Sequence, residues 1–478
     1  MYNNLYYFDK EAIIIENLNE QRSNLLGNES IPKLIWKFSV PATVGMLVQA
    51  LYNVVDRIFL GAGVNQMSIG GVYLMFPIFL FLMAFGMLIG VGGNSLSSIK
   101  FGEGKKTESE IILGTSMFLS IIFGILISAI FLLNLKWFLK IFGASDTLMP
   151  YAYEYGKIIL YGAPFQMVGF AMNNFIRGEG NPRAAMVTMF IGAISNIILD
   201  YVFIFPMKMG VQGAAWATII GQILSCIWVV RYFLSDCALL RLKKETFKLD
   251  LHYCKQIFAL GSAPFAMQLV ASGINIIFNN FLKIYGGDLA TSSMSVIYSV
   301  SQIAFMPIFG INQGIQPILG FNFGAHKYRR VQHTLRIAIV AGTVYMVLNW
   351  AFTMLRPDLL VKIFISRPED YAVIKDIAIP GLRIYNSMIF MLGYSIIGSS
   401  LFQAIGKPKI GFILTMTRQL IYLLPLMLIF PKLFGLTGVW SAMPVSDVLS
   451  TLTTTYFLVK SGFLVKTIHN DDEFVLGI

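Results

Sequence analysis

The chain has 478 residues, of which 56% are hydrophobic and only 13% are charged. A soluble globular protein carries roughly twice that charged fraction, so this composition excludes an ordinary soluble protein and indicates a chain that lies largely in lipid. The formal net charge of +11 does not indicate nucleic-acid binding, because the Lys and Arg residues cluster between apolar runs and not along one soluble face.

The first element in chain order is a polar N-terminal segment, residues 1–30. It lacks the charged start, apolar core and cleavage site of a signal peptide, so we expect the first span to act as its own insertion signal. Apolar runs then follow, each as long as the roughly 20 residues that cross a hydrocarbon core. They lie near 33–60, 68–98, 109–135, 151–176, 184–206 and 211–235.

A polar stretch, residues 237–255, interrupts this series near the middle of the chain. More apolar runs lie near 256–285, 290–320, 332–355, 371–403, 409–431 and 436–460. The pattern predicts an all-α polytopic membrane protein with twelve transmembrane helices in two six-helix lobes. The predicted units are an N-lobe (31–236), a cytoplasmic linker (237–255), a C-lobe (256–461) and a C-terminal cytoplasmic tail (462–478).

An even number of spans places both termini on one side of the membrane, and the basic loops then fall together on that side. Lys105 and Lys106, Arg183, and Lys243 and Lys244 are examples. By the positive-inside rule this side is cytoplasmic, so we expect a multi-pass protein of the bacterial cytoplasmic membrane with both termini inside the cell.

The two halves repeat each other at an offset of about 222 to 226 residues. Ser39-Val40-Pro41 matches Ser262-Ala263-Pro264, and Gly180-Asn181-Pro182 matches Gly406-Lys407-Pro408. Parallel repeats with a cavity between them are typical of transporters that rock two lobes, whereas channels usually assemble subunits around a pore. The duplication therefore favours a transporter.

Two carboxylates inside the predicted spans need an explanation, since each costs about 2.5 to 3.5 kcal/mol to insert. Asp56 lies about 7 Å, and Asp200 about 9 Å, from the outer ends of their helices. Asn196 precedes Asp200 by one turn, and Thr218 on the sixth span reaches a similar depth. Their oxygens predict a cation-coupling site for Na⁺ or H⁺.

Other interpretations of these residues remain open at this point. Asp56 could contact headgroups or its neighbour Arg57, and Asp200, Asn196 and Thr218 could make structural hydrogen bonds. In the second half, Pro425 and Leu426 stand where the repeat places the mate of Asp200, and Asn279 stands for Asp56. Coupling is therefore predicted in the N-lobe.

The second half does carry Arg418 and Asp447 on its last two spans. We expect these two side chains to pair across the spans as a structural contact, and a functional role for the pair stays open at this point. The sequence carries no nucleotide-binding loop, metal-ligand cluster or nucleophilic triad, which predicts a protein that is not an enzyme and has no cofactor other than a coupling ion.

Several motifs together resemble the multidrug and toxic compound extrusion (MATE) family, most nearly its MepA-like branch. They are Leu51–Gly61 (LYNVVDRIFLG), Arg177–Pro182 (RGEGNP), Asn196–Asp200 (NIILD) and Gly210–Ala215 (GVQGAA). The resemblance implies a monomeric antiporter that exports hydrophobic, often cationic drugs by alternating access in exchange for Na⁺ or H⁺, and thereby confers antibiotic resistance.

The resemblance also implies roles for particular residues. Asp56, Asp200, Asn196 and Thr218 match the cation-coupling cluster of the N-lobe. Gln49, Asn53 and Tyr155 are implied to line the substrate cavity, and Pro41 is implied to bend the first helix.

The competing prediction is a flippase for lipid-linked oligosaccharides, which belong to related two-lobe families. Such cargo carries pyrophosphate and favours a cavity lined with several arginines. Only Arg57, Arg383 and Arg418 lie inside or near spans, and the acidic cluster suits cations better. A receptor or a channel without coupling would carry no such acidic cluster.

Overall fold

The computed structural model describes residues 25–64, 71–72, 74–142, 144, 146, 148–247, 249–364 and 368–464. Helices dominate these residues, and none of them forms a strand. In the first half the helices are α1 (Ile31–Gly63), α2 (Phe76–Gly102), α3 (Lys106–Leu133), α4 (Leu135–Ile141), α5 (Met149–Gly178), α6 (Pro182–Ile204) and α7 (Gly210–Leu234). In the second half they are α8 (Leu251–Gly324), α9 (Tyr328–Leu355), α10 (Pro357–Phe364), α11 (Pro368–Tyr385), α12 (Phe390–Ala404), α13 (Pro408–Met416), a π-helical segment (Thr417–Leu423) and α14 (Leu424–Lys460).

Two glycines divide continuous helices into separate spans. Gly287 (φ 65°) interrupts α8, and Gly435 (φ 59°) interrupts α14. A positive φ is accessible to glycine without a steric penalty, so the chain can reverse direction at these points. With these breaks the helices make twelve spans in two lobes, as the sequence predicts.

Length and apolarity alone identify fewer spans among the described residues. Seven helices meet both criteria, or eight when α11 and α12 are joined. In that count Pro408–Lys460 is a single helix, although Gly435 divides it. The more polar α5 and the two arms of α8 complete the set. Large apolar side chains on the outside of the bundle, such as Ile125, Ile198 and Leu348, face the lipid.

Local structure repeats between the halves as the sequence predicts. Gly180 (φ 95°) and Gly406 (φ 75°) each end a helix, and the proline two residues later begins the next one. Asn181 also caps α6 by accepting a hydrogen bond from the Ala184 N–H (3.2 Å). The short helices α4 and α10 occupy equivalent places after the third span of each lobe, and the apolar runs do not predict either of them.

Three predicted boundaries differ in the structure. The tenth span is two helices, α11 and α12, bent by 45° around Asn386, whose side chain accepts a hydrogen bond from Ser301 (3.0 Å). Helix α8 begins at Leu251, inside the predicted linker, because Asp250 caps it through the His252 N–H (3.0 Å). In span two the continuous helix α2 begins at Phe76, Gly71 and Val72 are also helical, and residues 65–70 and 73 lie outside the described part of the chain.

The first helix of each lobe begins in the hydrophobic core of the other lobe. We call the bundle end that carries residues 235–247, the start of α1 and the end of α2 the linker face. Near it, Leu34 and Phe38 of α1 pack in the second-lobe core with Ile315 and Leu401. Conversely, Ile257 and Leu260 of α8 belong to the first-lobe core.

Glycines bring the two lobes into backbone contact toward the linker face. Gly92 lies against the carbonyl of Ile257, and Gly261 lies against the carbonyl of Leu88. Gly314 packs on Ser39 in the same way. Any added side chain would overlap these atoms, so the close approach depends on glycine. The lobes are therefore closed together on this side.

The linker itself is fastened to the first lobe by a buried carboxylate. Glu179, which is 1% exposed, accepts hydrogen bonds from the Leu239 N–H (2.9 Å) and the Leu240 N–H (3.0 Å). Glu110 accepts from the Lys243 ammonium group (2.7 Å). These contacts hold the linker on the end of the first lobe.

Candidate functional site

The site predicted from sequence is assembled inside the first lobe, away from the linker face. Helix α1 supplies Asp56, and α6 supplies Asp200 and Asn196. Both carboxylates are withdrawn from solvent, since Asp56 is 8% exposed and Asp200 is fully buried. Their side chains are close enough to hydrogen-bond to each other. Two carboxylates in such contact repel when both are ionised, so the arrangement favours a proton or a cation between them.

Asn196 connects Asp200 to helix α7. In the amide orientation that satisfies both ends of the group, its nitrogen donates to Asp200 Oδ2 (3.1 Å). Its oxygen then accepts from the Thr218 N–H (3.2 Å). The Thr218 hydroxyl donates to the Ala214 carbonyl one turn earlier (3.0 Å). The predicted set of carboxylate, amide and hydroxyl groups is therefore contiguous.

One oxygen of the Asp200 carboxylate has no hydrogen-bond partner within the described structure. Asp200 Oδ1 is buried without a hydrogen bond. A buried polar oxygen of this kind is costly unless a further group binds it. Within the described ranges no group of three or more His, Cys, Asp or Glu side chains is arranged to hold a metal ion. The neighbouring oxygens suit a hard monovalent cation or a proton better than a transition metal.

Two tyrosines complete the surroundings of the carboxylates. Tyr155 on α5 is 3% exposed, and its hydroxyl lies beside the Thr218 hydroxyl. Tyr52 lies within electrostatic range of both Asp56 and Asp200. Tyr52 carries no charge that would mark it in the sequence, although its spacing of four residues before Asp56 places it on the same helical face.

The other residues predicted for the site belong to helix α1. Pro41 lies inside α1, about 22 Å along the helix from Asp56. The side chains of Gln49, Asn53 and Arg57 lie outside the described part of the structure.

In the second lobe, Arg418 Nε and Asp447 Oδ1 form an ion pair of 2.7 Å, so the predicted pairing is present. Pro425 and Leu426 follow the π-helical segment where the repeat places the mate of Asp200.

A bundle of two repeated six-helix lobes with a carboxylate pair buried in one of them is typical of membrane transporters. The MatE family model matches residues 41–202 and 264–428, once in each half. Since these matches cover more than half of the chain, the chain belongs to the MATE family of transporters.

Individual relatives agree with this assignment. The multidrug export protein MepA of Staphylococcus haemolyticus (strain JCSC1435) is 28% identical over 440 residues, which cover 90% of this chain and 94% of that protein. The structure of the MATE multidrug transporter DinF-BH matches with a TM-score of 0.85 and 36% identity, covering 92% of this chain and 98% of that one. An outward-facing structure of a multidrug resistance MATE transporter matches with a TM-score of 0.84 and 25% identity over 91% of this chain and 96% of that one.

Proposed function

We propose that this protein is a secondary active multidrug efflux transporter that exchanges Na⁺ or H⁺ for hydrophobic, often cationic compounds. The observation that carries the proposal is the contact between the buried Asp56 and Asp200 carboxyl groups. The names of the relatives, which are multidrug export proteins and multidrug transporters, support the substrate class.

The coupling ion is bound by Asp56 and Asp200, with Asn196 and Thr218 as neutral ligands. A Na⁺ ion or a proton removes the repulsion between the two carboxylates. The hydrogen bond from Asn196 to Asp200 Oδ2 orients the carboxylate and leaves Asp200 Oδ1 available to the ion. Loss of the ion leaves a negative charge in a low-dielectric lobe. That charge either recruits a new ion or attracts a cationic substrate.

Alternating access depends on helices that have one end packed in each lobe. Helix α1 carries Asp56 and Leu60 in the first lobe, and its other end carries Phe38 in the second-lobe core. Pro41 lies close to Phe38 and lacks a backbone N–H, so α1 can bend there. Ion binding at Asp56 is thereby connected to the contact between the lobes. Gln49, Asn53 and Tyr155 line the substrate cavity.

The lobes comprise residues 31–236 and 256–461, with residues 1–30 and 462–478 as cytoplasmic ends and 237–255 as the linker between the lobes. The linker face is cytoplasmic, because Lys105, Lys243 and Lys244 lie there and the positive-inside rule applies. The protein is a monomer of the bacterial cytoplasmic membrane.

The flippase alternative is less well supported. Of the arginines that could bind pyrophosphate, Arg418 is engaged by Asp447 and Arg383 is exposed. The buried acidic pair offers such cargo only repulsion.

The test is efflux of a fluorescent lipophilic cation from membrane vesicles with a Na⁺ gradient or a proton gradient imposed separately. Asp56→Asn and Asp200→Asn are compared with wild type at equal membrane abundance, and Asp358→Asn, at an exposed carboxylate, is the matched control. We expect wild type and the control to export the dye under one gradient and both site variants to fail. Equal export by all four proteins would refute coupling at this site, and no export by any of them would favour lipid-linked cargo.

A further inference from the structure

The second lobe contains a buried ion pair that the proposed coupling mechanism does not use. Arg418 Nε donates to Asp447 Oδ1 at 2.7 Å, and the two side chains are 17% and 4% exposed. The pair joins the eleventh and twelfth spans. These spans correspond by the internal repeat to α6 and α7, which carry Asp200 and Thr218 in the first lobe.

The ion pair lies deep in the bilayer. Arg418 is about 15 Å along its helix from Pro408, and Asp447 is about 18 Å from Gly435. Both distances are near half of the roughly 30 Å hydrocarbon thickness. Lipid headgroups cannot neutralise charges at this depth, so each member of the pair needs an internal partner.

The hydrogen bonding around the guanidinium group is incomplete. Arg418 Nη2 and Gln419 Oε1 are both buried without a partner in the described part of the chain. Ser446 donates to the Arg418 carbonyl (2.6 Å), and Tyr385 lies within electrostatic range of both charged groups. Arg418 also lies in the π-helical segment, a feature that is frequent at functional sites. A purely structural buried pair is expected to satisfy its remaining donors.

The two lobes therefore neutralise their buried carboxylates in different ways. The first lobe pairs two carboxylates, Asp56 and Asp200, and requires an ion from solution. The second lobe pairs one carboxylate with a cation that belongs to the chain. We propose that the Arg418 guanidinium occupies a monovalent-cation site at Asp447, so that the second lobe needs no free ion and coupling is confined to the first lobe. This inference rests on the proposed function of the Asp56 and Asp200 site.

Removing the guanidinium should expose that site. Arg418→Met keeps a long unbranched side chain but leaves the Asp447 carboxylate without a counter-charge. Asp447 then takes up the same ion that the first lobe uses, and the buried, unpartnered Gln419 Oε1 is a candidate further ligand. Arg418→Met/Asp447→Asn removes both charges and should not bind this second ion.

The test counts bound ions on purified full-length protein, by ²²Na⁺ binding or, if wild type binds no Na⁺, by proton uptake. We expect Arg418→Met to bind about twice the wild-type amount, and both Arg418→Lys and Arg418→Met/Asp447→Asn to bind the wild-type amount. Asp200→Asn should lose the wild-type ion, and Asp200→Asn/Arg418→Met should regain one. Thermal unfolding against ion concentration covers a destabilised Arg418→Met, whose melting temperature should rise more with ion concentration than that of the double variant.

The possible failures are distinguishable. If Asp200→Asn keeps the wild-type amount of bound ion, the proposed coupling site is wrong whatever Arg418 does. If Asp200→Asn loses the ion and Arg418→Met adds none at any ion concentration, the coupling site stands. In that case Arg418 is a structural partner only.

Discussion

Gly261 on α8 lies directly against the backbone carbonyl of Leu88 on α2. This contact joins the two lobes, and the reciprocal contact of Gly92 with the Ile257 carbonyl lies beside it. Since neither position has room for a β-carbon, closure of the linker face depends on both glycines.

Gly261→Val should therefore shift the protein toward a state that is open at the linker face. The valine side chain overlaps the Leu88 carbonyl only when the lobes are closed. A cysteine replacing Ser39, which is 5% exposed in the lobe interface, should react with a thiol reagent several-fold faster in this variant. The three native cysteines, Cys226, Cys237 and Cys254, are first replaced.

Gly273→Val is the matched control, because a β-carbon on Gly273 of the same helix meets no atom within 4 Å. Its labelling rate should equal that of the parent protein. Equal labelling in Gly261→Val would show that the backbone contact does not limit opening.

Asn196→Leu should weaken binding of the coupling ion. The substitution removes the hydrogen bond to Asp200 Oδ2 and the link to Thr218. A hydrogen bond to a charged group contributes about 1.5 to 3 kcal/mol, so the ion concentration for half-maximal efflux should rise by roughly tenfold or more. Asn134→Ala, at an exposed position, should leave the ion concentration for half-maximal efflux unchanged. An unaltered ion dependence in Asn196→Leu would remove Asn196 from the site.

Tyr52→Phe should alter ion coupling without altering the fold. The phenylalanine keeps the ring and removes the hydroxyl, which lies within electrostatic range of Asp56 and Asp200. We expect a several-fold change in the ion dependence of efflux with thermal stability close to wild type. Tyr161→Phe, at a tyrosine that is 53% exposed, serves as the control. If both variants behave alike, the Tyr52 hydroxyl takes no part in ion binding.

Glu179→Gln should loosen the linker. The buried Glu179 carboxylate accepts from two backbone N–H groups and from the Tyr232 hydroxyl, and the neutral amide cannot accept all three as strongly. We expect a loss of about 1 to 3 kcal/mol in stability and faster tryptic cleavage near the exposed Lys244. Glu154→Gln, at an exposed carboxylate, should change neither quantity. Wild-type cleavage rates in Glu179→Gln would mean that the linker is held by other contacts.

The carboxylates of the site were predictable because a charge inside an apolar run is rare and costly, so Asp56 and Asp200 stand out without any structure. Tyr52 does not stand out, since a tyrosine in a span is unremarkable until its distance from a carboxylate is known. The π-helical segment around Arg418 carries no sequence signal either. The bend at Asn386 depends on a hydrogen bond from Ser301, which is remote in sequence.

The membrane class, the twelve spans and the duplication follow from the amino-acid sequence, because hydrophobic length and repeated Gly and Pro landmarks are local properties of the chain. Which lobe holds each helix half is a property of the tertiary structure. The start of α1 packs in the second-lobe core and the start of α8 in the first, and each placement depends on side chains that are remote in sequence. The physical reason is that lipid and the opposite lobe are both apolar, so hydrophobicity alone cannot distinguish a helix face that contacts one from a face that contacts the other.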